Sequence, residues 1–370
     1  MRADWGIKAF DACIEKRKAP TKLLSSSYQE KGLYPIVSQE KDLISGYWDN
    51  PDDLFVHRKP VVVFGDHTMV VKYIDFDFVV GADGVKILEP KGFLLPKYFF
   101  YWVSSVHIKS RGYARHFRYL REASVPVPSL PEQQRIVDIL DREFAKIDAL
   151  KANTEKSLQA AKDLFLQILT ETFSNPDWTR KRIGDVFDTG AGGTPLKTYK
   201  EYYDNGDIPW LRSGEVCKKY ITETEMFITQ LGMNNSSAKM FPENSVVVAM
   251  YGATAGQVGI LHLETTTNQA VCGIFPRKDY IPEFVYYSLL NSKKGLVAQA
   301  TGNAQPNISQ IKIKNTTIPV ISKDKQVAVV SRLDDLNDLC NALQENYHKT
   351  LTLCDDLKQS LLRKAFSGEL

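Results

Sequence analysis

Val125-Pro126-Val127-Pro128-Ser129 and Ile318-Pro319-Val320-Ile321-Ser322 share one frame, 193 residues apart. Working outward, the same shift carries Gln133 onto Gln326, Val137 onto Val330, Leu140 onto Leu333 and Asp141 onto Asp334. It continues without a gap through Ala149-Leu150 on Ala342-Leu343, Asp163-Leu164 on Asp356-Leu357 and Phe173-Ser174 on Phe366-Ser367. Upstream the echoes persist but the shift drifts: Asp4-Trp5 answers Asp177-Trp178, Tyr34-Pro35 answers Ile208-Pro209, and Phe64-Gly65 answers Tyr251-Gly252. A constant shift marks an element that tolerates no insertion, and a drifting one marks variable loops. The chain is one unit written twice, each copy a globular head followed by an element of fixed length.

The fixed element reads as a helix. From Pro131 to Phe173, and from Asp324 to Phe366, no glycine or further proline interrupts the chain. Pro131 and Glu132 suit a first helical turn. Ile136, Leu140, Ile147, Leu150, Leu164 and Ile168 make an apolar stripe in the first copy. Val329, Leu333, Leu336, Leu343, Leu357 and Leu361 make it in the second. Steps of three and four, or multiples of seven where polar residues intervene, predict a coiled-coil seam. A domain brings its own ends close together, so the second helix is expected to run antiparallel to the first. The expected fold class is α+β: two similar globular domains separated by two long antiparallel helices forming a coiled coil, an internal repeat with pseudo-two-fold symmetry.

Both heads mix short strands and helices. Lys59 to Phe64 and Ser245 to Met250 read as buried strands ending at Gly65 and Gly252. Pro96 to Ser104 and Pro282 to Leu290 read as aromatic helices. The first head then carries Lys109, Arg111, Arg115, His116, Arg118 and Arg121 with no acid until Glu122. Such a run can neutralise phosphates and aim guanidinium forks at guanine edges; a solvated charged surface is the bland alternative. The matching stretch of the second head is uncharged but rich in amides, Asn303, Gln305 and Asn307, which suit adenine or simply a turn. Polar residues beside strand ends complete the candidate DNA contacts: Ser38, Gln39, Lys41, Asp66, His67 and Lys72 in the first head. In the second they are Thr194, Lys197, Tyr199, Lys200, Arg212, Ser213, Tyr251, Asn268 and Gln269.

Other chemistry is poorly served. Hydrophobic and charged contents of 43% and 25% are globular values, and no apolar run reaches the roughly 18 residues of a membrane span. With no secretory signal pattern, a soluble, cytoplasmic chain is expected. The five cysteines lack CxxC spacing, so buried thiols are expected rather than zinc or a redox pair. The glycines at 190, 192 and 193 are not followed by GK[ST]. Asn175-Pro176-Asp177-Trp178 has a twin at Asp4-Trp5 without Asn-Pro, which makes it the start of a head and not a methyltransferase tetrapeptide. Pro51-Asp52 with Glu89-Pro90-Lys91 spells a nuclease pattern only formally, since Pro51 to Asp53 is a turn cluster. No catalytic centre and no metal site are expected.

Ser129-Leu130-Pro131-Glu132-Gln133-Gln134-Arg135-Ile136-Val137, Gly193-Thr194-Pro195 and Arg363-Lys364-Ala365-Phe366-Ser367-Gly368-Glu369-Leu370 together resemble the specificity subunit of type I restriction–modification systems. The likeness spans essentially the whole chain. The second copy departs from it at Ser322-Lys323-Asp324-Lys325, which lacks the Pro-Glu pair at the start of its helix. The resemblance implies target-recognition domains over 1–128 and 175–321, and helical spacer regions over 129–174 and 322–370. It also implies a bipartite double-stranded DNA site with a half-site for each domain. Two methylation subunits would dock on the helices and bring S-adenosylmethionine; restriction subunits would bring ATP and magnesium chemistry. No cofactor is expected on this chain. A coiled-coil adaptor whose heads bind other proteins is the competing reading.

Overall fold

In the computed structural model, residues 5–17, 21–81, 84–109, 112, 114–299 and 307–370 are described. They fall into two compact units, Met1–Lys156 with Tyr347–Leu370, and Ser157–Asn346. Besides shorter pieces, the first head holds strands β1 (Gly6–Ala9), β2 (Tyr34–Val37), β3 (Val61–Gly65), β4 (Val71–Ile74), β5 (Phe78–Gly81), β6 (Val85–Leu88) and β7 (Ser124–Val127). Its helices are α1 (Pro96–Ser105) and α2 (Phe117–Arg121), and the long helix α3 (Leu130–Phe173) follows. The second head holds β8 (Arg180–Arg182), β9 (Ile208–Leu211), β10 (Val246–Ala249), β11 (Val258–Leu261), β12 (Thr265–Thr267), β13 (Val271–Ile274) and β14 (Thr317–Pro319). Helix α4 (Pro282–Ala298) lies within it and α5 (Lys323–Ser367) after it.

The heads share a plan. Their most apolar strands, β3 and β10, are central: β3 between β4 and β6, β10 between β11 and β13, all antiparallel. Buried on both faces, such strands read as unbroken runs of valine. A second sheet in each head pairs two strands in parallel at corresponding places, β2 with β5 and β9 with β12. First and last strands close each head as an antiparallel ribbon, Gly6 opposite Val127 and Arg180 opposite Pro319. The chain therefore enters and leaves each head at adjacent points.

Each unit takes the end of the other copy's helix into its core. In unit 1 the Phe366 ring lies 5.2 Å from Tyr98 of α1. In unit 2 the Phe173 ring lies 5.4 Å from Phe284 of α4. Phe173 and Phe366 are the same position in the two copies. Within unit 1 the pairing is antiparallel: Arg135 donates to the carbonyl of Leu370, Lys358 to Asp148, and Lys151 to Asp355. Helix α5 starts at Lys323, the counterpart of Leu130, so the missing Pro-Glu pair does not displace its start.

The seam is narrower than the sequence pattern implies. Leu140, Ile147, Thr154 and Ala161 are buried at heptad spacing on α3, and Gln326, Leu333, Cys340 and Cys354 on α5. Ile136 is also buried; Ile168, Val329, Leu336, Leu343 and Leu361 are half-buried. Leu150, Leu164 and Leu357, expected in the seam, are exposed by 50%, 43% and 50%. They stand three residues beyond seam positions, on the flank that a two-helix pair leaves open. A bundle of more helices would bury them. Cys13, Cys272, Cys340 and Cys354 are buried as expected, whereas Cys217 is exposed. Burial pushes the Cys272 thiol up to about 12.

Two polar devices tie each head to its helix, and both are duplicated. Gln133, fully buried, donates from Nε2 to the carbonyls of Phe93 and Pro128, both 2.9 Å, and accepts at Oε1 from the Leu95 amide at 2.8 Å. Gln326 does the same with Asp279, Ile321 and Ile281 at 2.8, 3.0 and 3.0 Å. Leu95 and Ile281 are the N-cap residues of α1 and α4, with no polar side chain to offer. A glutamine distant in sequence thus satisfies an amide beside a helix start. The second device is a tyrosine hydroxyl on a carboxylate, Tyr101 on Asp141 and Tyr287 on Asp334. Burial, then the bond to the carboxylate, hold both phenols well above the usual tyrosine range.

Candidate nucleic-acid interface

In head 2, parallel pairing brings the ends of β9 and β12 together, so Arg212-Ser213 and Asn268-Gln269 emerge side by side. The Asn268 amide donates to the Leu211 carbonyl at 2.9 Å. The loop at 192–195 joins them: the Gly193 amide donates to Thr267 at 2.9 Å, and Thr194 Oγ1 bonds Gln269 Oε1. Trp210 Nε1 donates to the Gly193 carbonyl at 3.0 Å. No side chain fits at Gly192, where an added Cβ would lie 2.2 Å from the Thr267 carbonyl. The turn after β10 borders the same place. Tyr251 forms a β-bridge with Asn307, and the Ile308 amide donates to Met250 at 2.8 Å. Thr194, Arg212, Ser213, Tyr251, Asn268, Gln269 and Asn307 therefore gather at one end of the head. Beside them lies a cleft of 850 Å³ that Arg212, Lys218, Tyr220 and Asn268 help to line. Lys197, Tyr199 and Lys200 are exposed on the following loop, with the Tyr199 ring 5.2 Å from Tyr202.

Head 1 builds the same end from different residues. Parallel β2 and β5 finish together, and Ser38-Gln39 follow β2. Gln39 reaches the turn after β3: its Oε1 accepts from the His67 amide at 3.3 Å and its carbonyl from Thr68 Oγ1 at 2.6 Å. The arm at 114–121 returns to that turn, as the segment around Asn307 does in head 2, through the His116 amide on the Asp66 carbonyl at 2.7 Å. Lys41, Arg115 and Arg118 are exposed here, and Lys109 is exposed after α1.

Several residues expected to touch DNA face inward instead. Lys72 is buried, and its ammonium donates to the carbonyls of Ser38 (2.9 Å) and Asp42. Burial lowers its pKa, and the ammonium is committed to the loop after β2, not to a phosphate. Ser38 is buried against Ser45 Oγ at 2.7 Å. Gln39, Asp66 and His116 are buried too, so these residues shape the surface from beneath. Arg212 is half-buried and gripped by Glu215 at 3.0 Å and by Glu225. Both carboxylates raise its pKa, and a guanidinium so neutralised is a weaker phosphate ligand than a free one. Arg111, Asn303 and Gln305 lie outside the described residues.

The Gln133 and Gln326 joints carry no sign of function in the pattern beyond falling on each other at the 193 shift. Among the described residues no group of three or more His, Cys, Asp or Glu is placed to hold a metal ion. No described helix is long and apolar enough to cross a membrane.

The comparisons agree with this geometry. The family model for the type I restriction modification DNA specificity domain matches residues 4–160 and again 175–353. Over 365 residues the chain is 26% identical to the type I restriction enzyme EcoR124I/EcoR124II specificity subunit of Escherichia coli, covering 92% of this chain and 89% of that protein. It is 24% identical to the EcoBI specificity subunit of Escherichia coli, covering 88% and 75%. Among solved structures, a chain from a type I R-M system matches with a TM-score of 0.74 at 16% identity, covering 100% and 99%. The HsdS subunit from Thermoanaerobacter tengcongensis matches with a TM-score of 0.58 at 16% identity, covering 100% and 98%.

Proposed function

Because this chain belongs to the type I restriction modification DNA specificity family, we propose that each head reads one half of a bipartite duplex site and that the paired helices set the gap. The observation that carries this reading is the shared end of the two heads. In both, the ends of a parallel strand pair, the turn after the central strand and a returning segment meet. The side chains offered there differ: cationic Lys41, Arg115 and Arg118 in one, Thr194, Asn268, Gln269 and Asn307 in the other. One scaffold with two donor sets suits two different half-sites.

The chain itself supplies recognition, and the chemistry belongs to its partners: methylation subunits with S-adenosylmethionine, and restriction subunits with ATP and magnesium. Titrating the assembled complex with duplex DNA tests the reading. Affinity for an unrelated duplex falls by about 10³-fold or more between 50 and 200 mM salt if six or more phosphates are contacted. A selection from random duplexes returns two conserved blocks around a fixed gap. Salt-independent binding, or no enriched sequence, would favour a protein-binding adaptor instead.

We infer that the methylation subunits dock over the leucines left out of the seam. Leu150, Leu353 and Leu357 are half-exposed or more in unit 1, and Leu164, Leu166 and Leu339 are exposed in unit 2. Leu164 and Leu357 are equivalent positions, so the duplication offers the same apolar group twice. Covering one leucine is worth about 1.5–3 kcal/mol. Leu150→Asp with Leu357→Asp is therefore expected to weaken capture of one methylation subunit by about tenfold or more, read by ultracentrifugation. A full 2:1 assembly at unchanged affinity would remove this docking surface.

A further inference from the structure

We propose that Asp66 is the positioning residue of head 1, fixing Arg115 and Arg118 as a pair that reads guanine in that head's half-site; this rests on the DNA-reading function above. Asp66 sits in the turn after β3, yet it is only 3% exposed. Its Oδ1 accepts the Phe117 amide at 2.8 Å, and its Oδ2 lies 3.6 Å from Lys86 Nζ. Its carbonyl accepts the His116 amide at 2.7 Å and faces His116 Nδ1 at 3.1 Å. Its own amide donates to Gly84 at 2.7 Å. One residue thereby knots three separated segments: the turn, the start of β6 and the arm that carries the arginines.

The carboxylate faces a strongly cationic arm, yet its closest bond goes to a backbone amide and its ion pair to Lys86. The carboxylate thus engages the arm's backbone and not the guanidinium of Arg115 or Arg118. His116 is fully buried between Arg115 and Arg118, both exposed, so the clamp holds the backbone between the two guanidinium-bearing residues. Arg118 lies over the Tyr119 ring at 4.6 Å and donates from one Nη to the Tyr119 hydroxyl, which stiffens it further. Arg121 is tied to Asp11 instead. Arg115, Phe117, Arg118 and Arg121 with Asp66 line a hollow of 380 Å³. Reading a base edge needs a fork held to about 0.5 Å, and a bidentate fork is the standard match for guanine O6 and N7. Head 2 pins its returning segment through backbone bonds to Met250 and Tyr251 and has alanine, Ala253, after Gly252. The carboxylate clamp is therefore particular to head 1.

The test is a selection from random duplexes by the full complex, run for wild type, Asp66→Ala, Asp66→Asn and the Arg115→Ala, Arg118→Ala double variant. Wild type returns at least one guanine in the head 1 block. The double variant lowers preference for that guanine by about tenfold to hundredfold. Asp66→Ala lowers it comparably at the same position while the other block stays sharp. Asp66→Asn, which keeps an acceptor for the Phe117 amide, restores most of it. A loss spread evenly over both blocks, or an unchanged block in assembled Asp66→Ala, would overturn the proposal. If Asp66→Ala does not assemble, the double variant decides, and an undiminished guanine refutes it. A wild-type complex that enriches no sequence would instead overturn the DNA-reading function itself.

Discussion

Replacing Gln133 by alanine lowers the unfolding free energy of unit 1 by about 3–5 kcal/mol, a large part of what a domain possesses. The side chain makes three bonds, all to main-chain groups: the carbonyls of Phe93 and Pro128 and the amide of Leu95. Truncation leaves them without this partner around the fully buried space the Gln133 side chain fills. Each buried orphan costs about 1–3 kcal/mol, and partial relaxation brings the sum below the maximum. Gln133→Glu removes both donated bonds and faces two carbonyls with an anion, so it is expected to be no milder. The effect is local: Gln326→Ala weakens unit 2 in the same way through Asp279, Ile321 and Ile281. Calorimetry of both variants checks this. A loss under about 1 kcal/mol in either would mean that the joint is not what holds head to helix.

Because these partners are backbone groups, the joint reads the path of the chain and not its side chains. Head loops can vary widely without disturbing it, as the drift of the shift upstream of Pro126 indicates. Asp141 and Asp334 complete the attachment with one tyrosine each, again at the 193 shift. Attachment is thus repeated while the reading surface diverges, the division of labour a two-part recognition chain needs.

Much of this was legible in the residues. The gap-free 193 shift located both long helices, and the valine runs located both central strands. Less legible was which polar residues face the target. Polar side chains beside a turn look alike in sequence whether they brace the turn or project from it. Lys72 carried a usable sign, since it alternates with Tyr73 and shares the inward face of β4 with Ile74. Asp66 carried none, because its partners Gly84, Lys86 and His116 come from distant segments. The seam was overdrawn for a different reason. A heptad pattern counts every apolar position, but an isolated helix pair buries only a narrow strip, so Leu150, Leu164 and Leu357 stayed out.

The most direct measurement lengthens the spacer. Four residues, one helical turn, are inserted into both helices, after Thr154 in α3 and after its counterpart Tyr347 in α5. Such a stutter is absorbed by a slight unwinding of a coiled coil. The added rise of about 6 Å corresponds to one or two base pairs at 3.4 Å each. Selection by the assembled complex is then expected to return both half-sites unchanged, with the gap longer by one or two base pairs. The same gap as wild type, in a complex that still assembles and binds, would contradict the claim that these helices measure the distance between the halves.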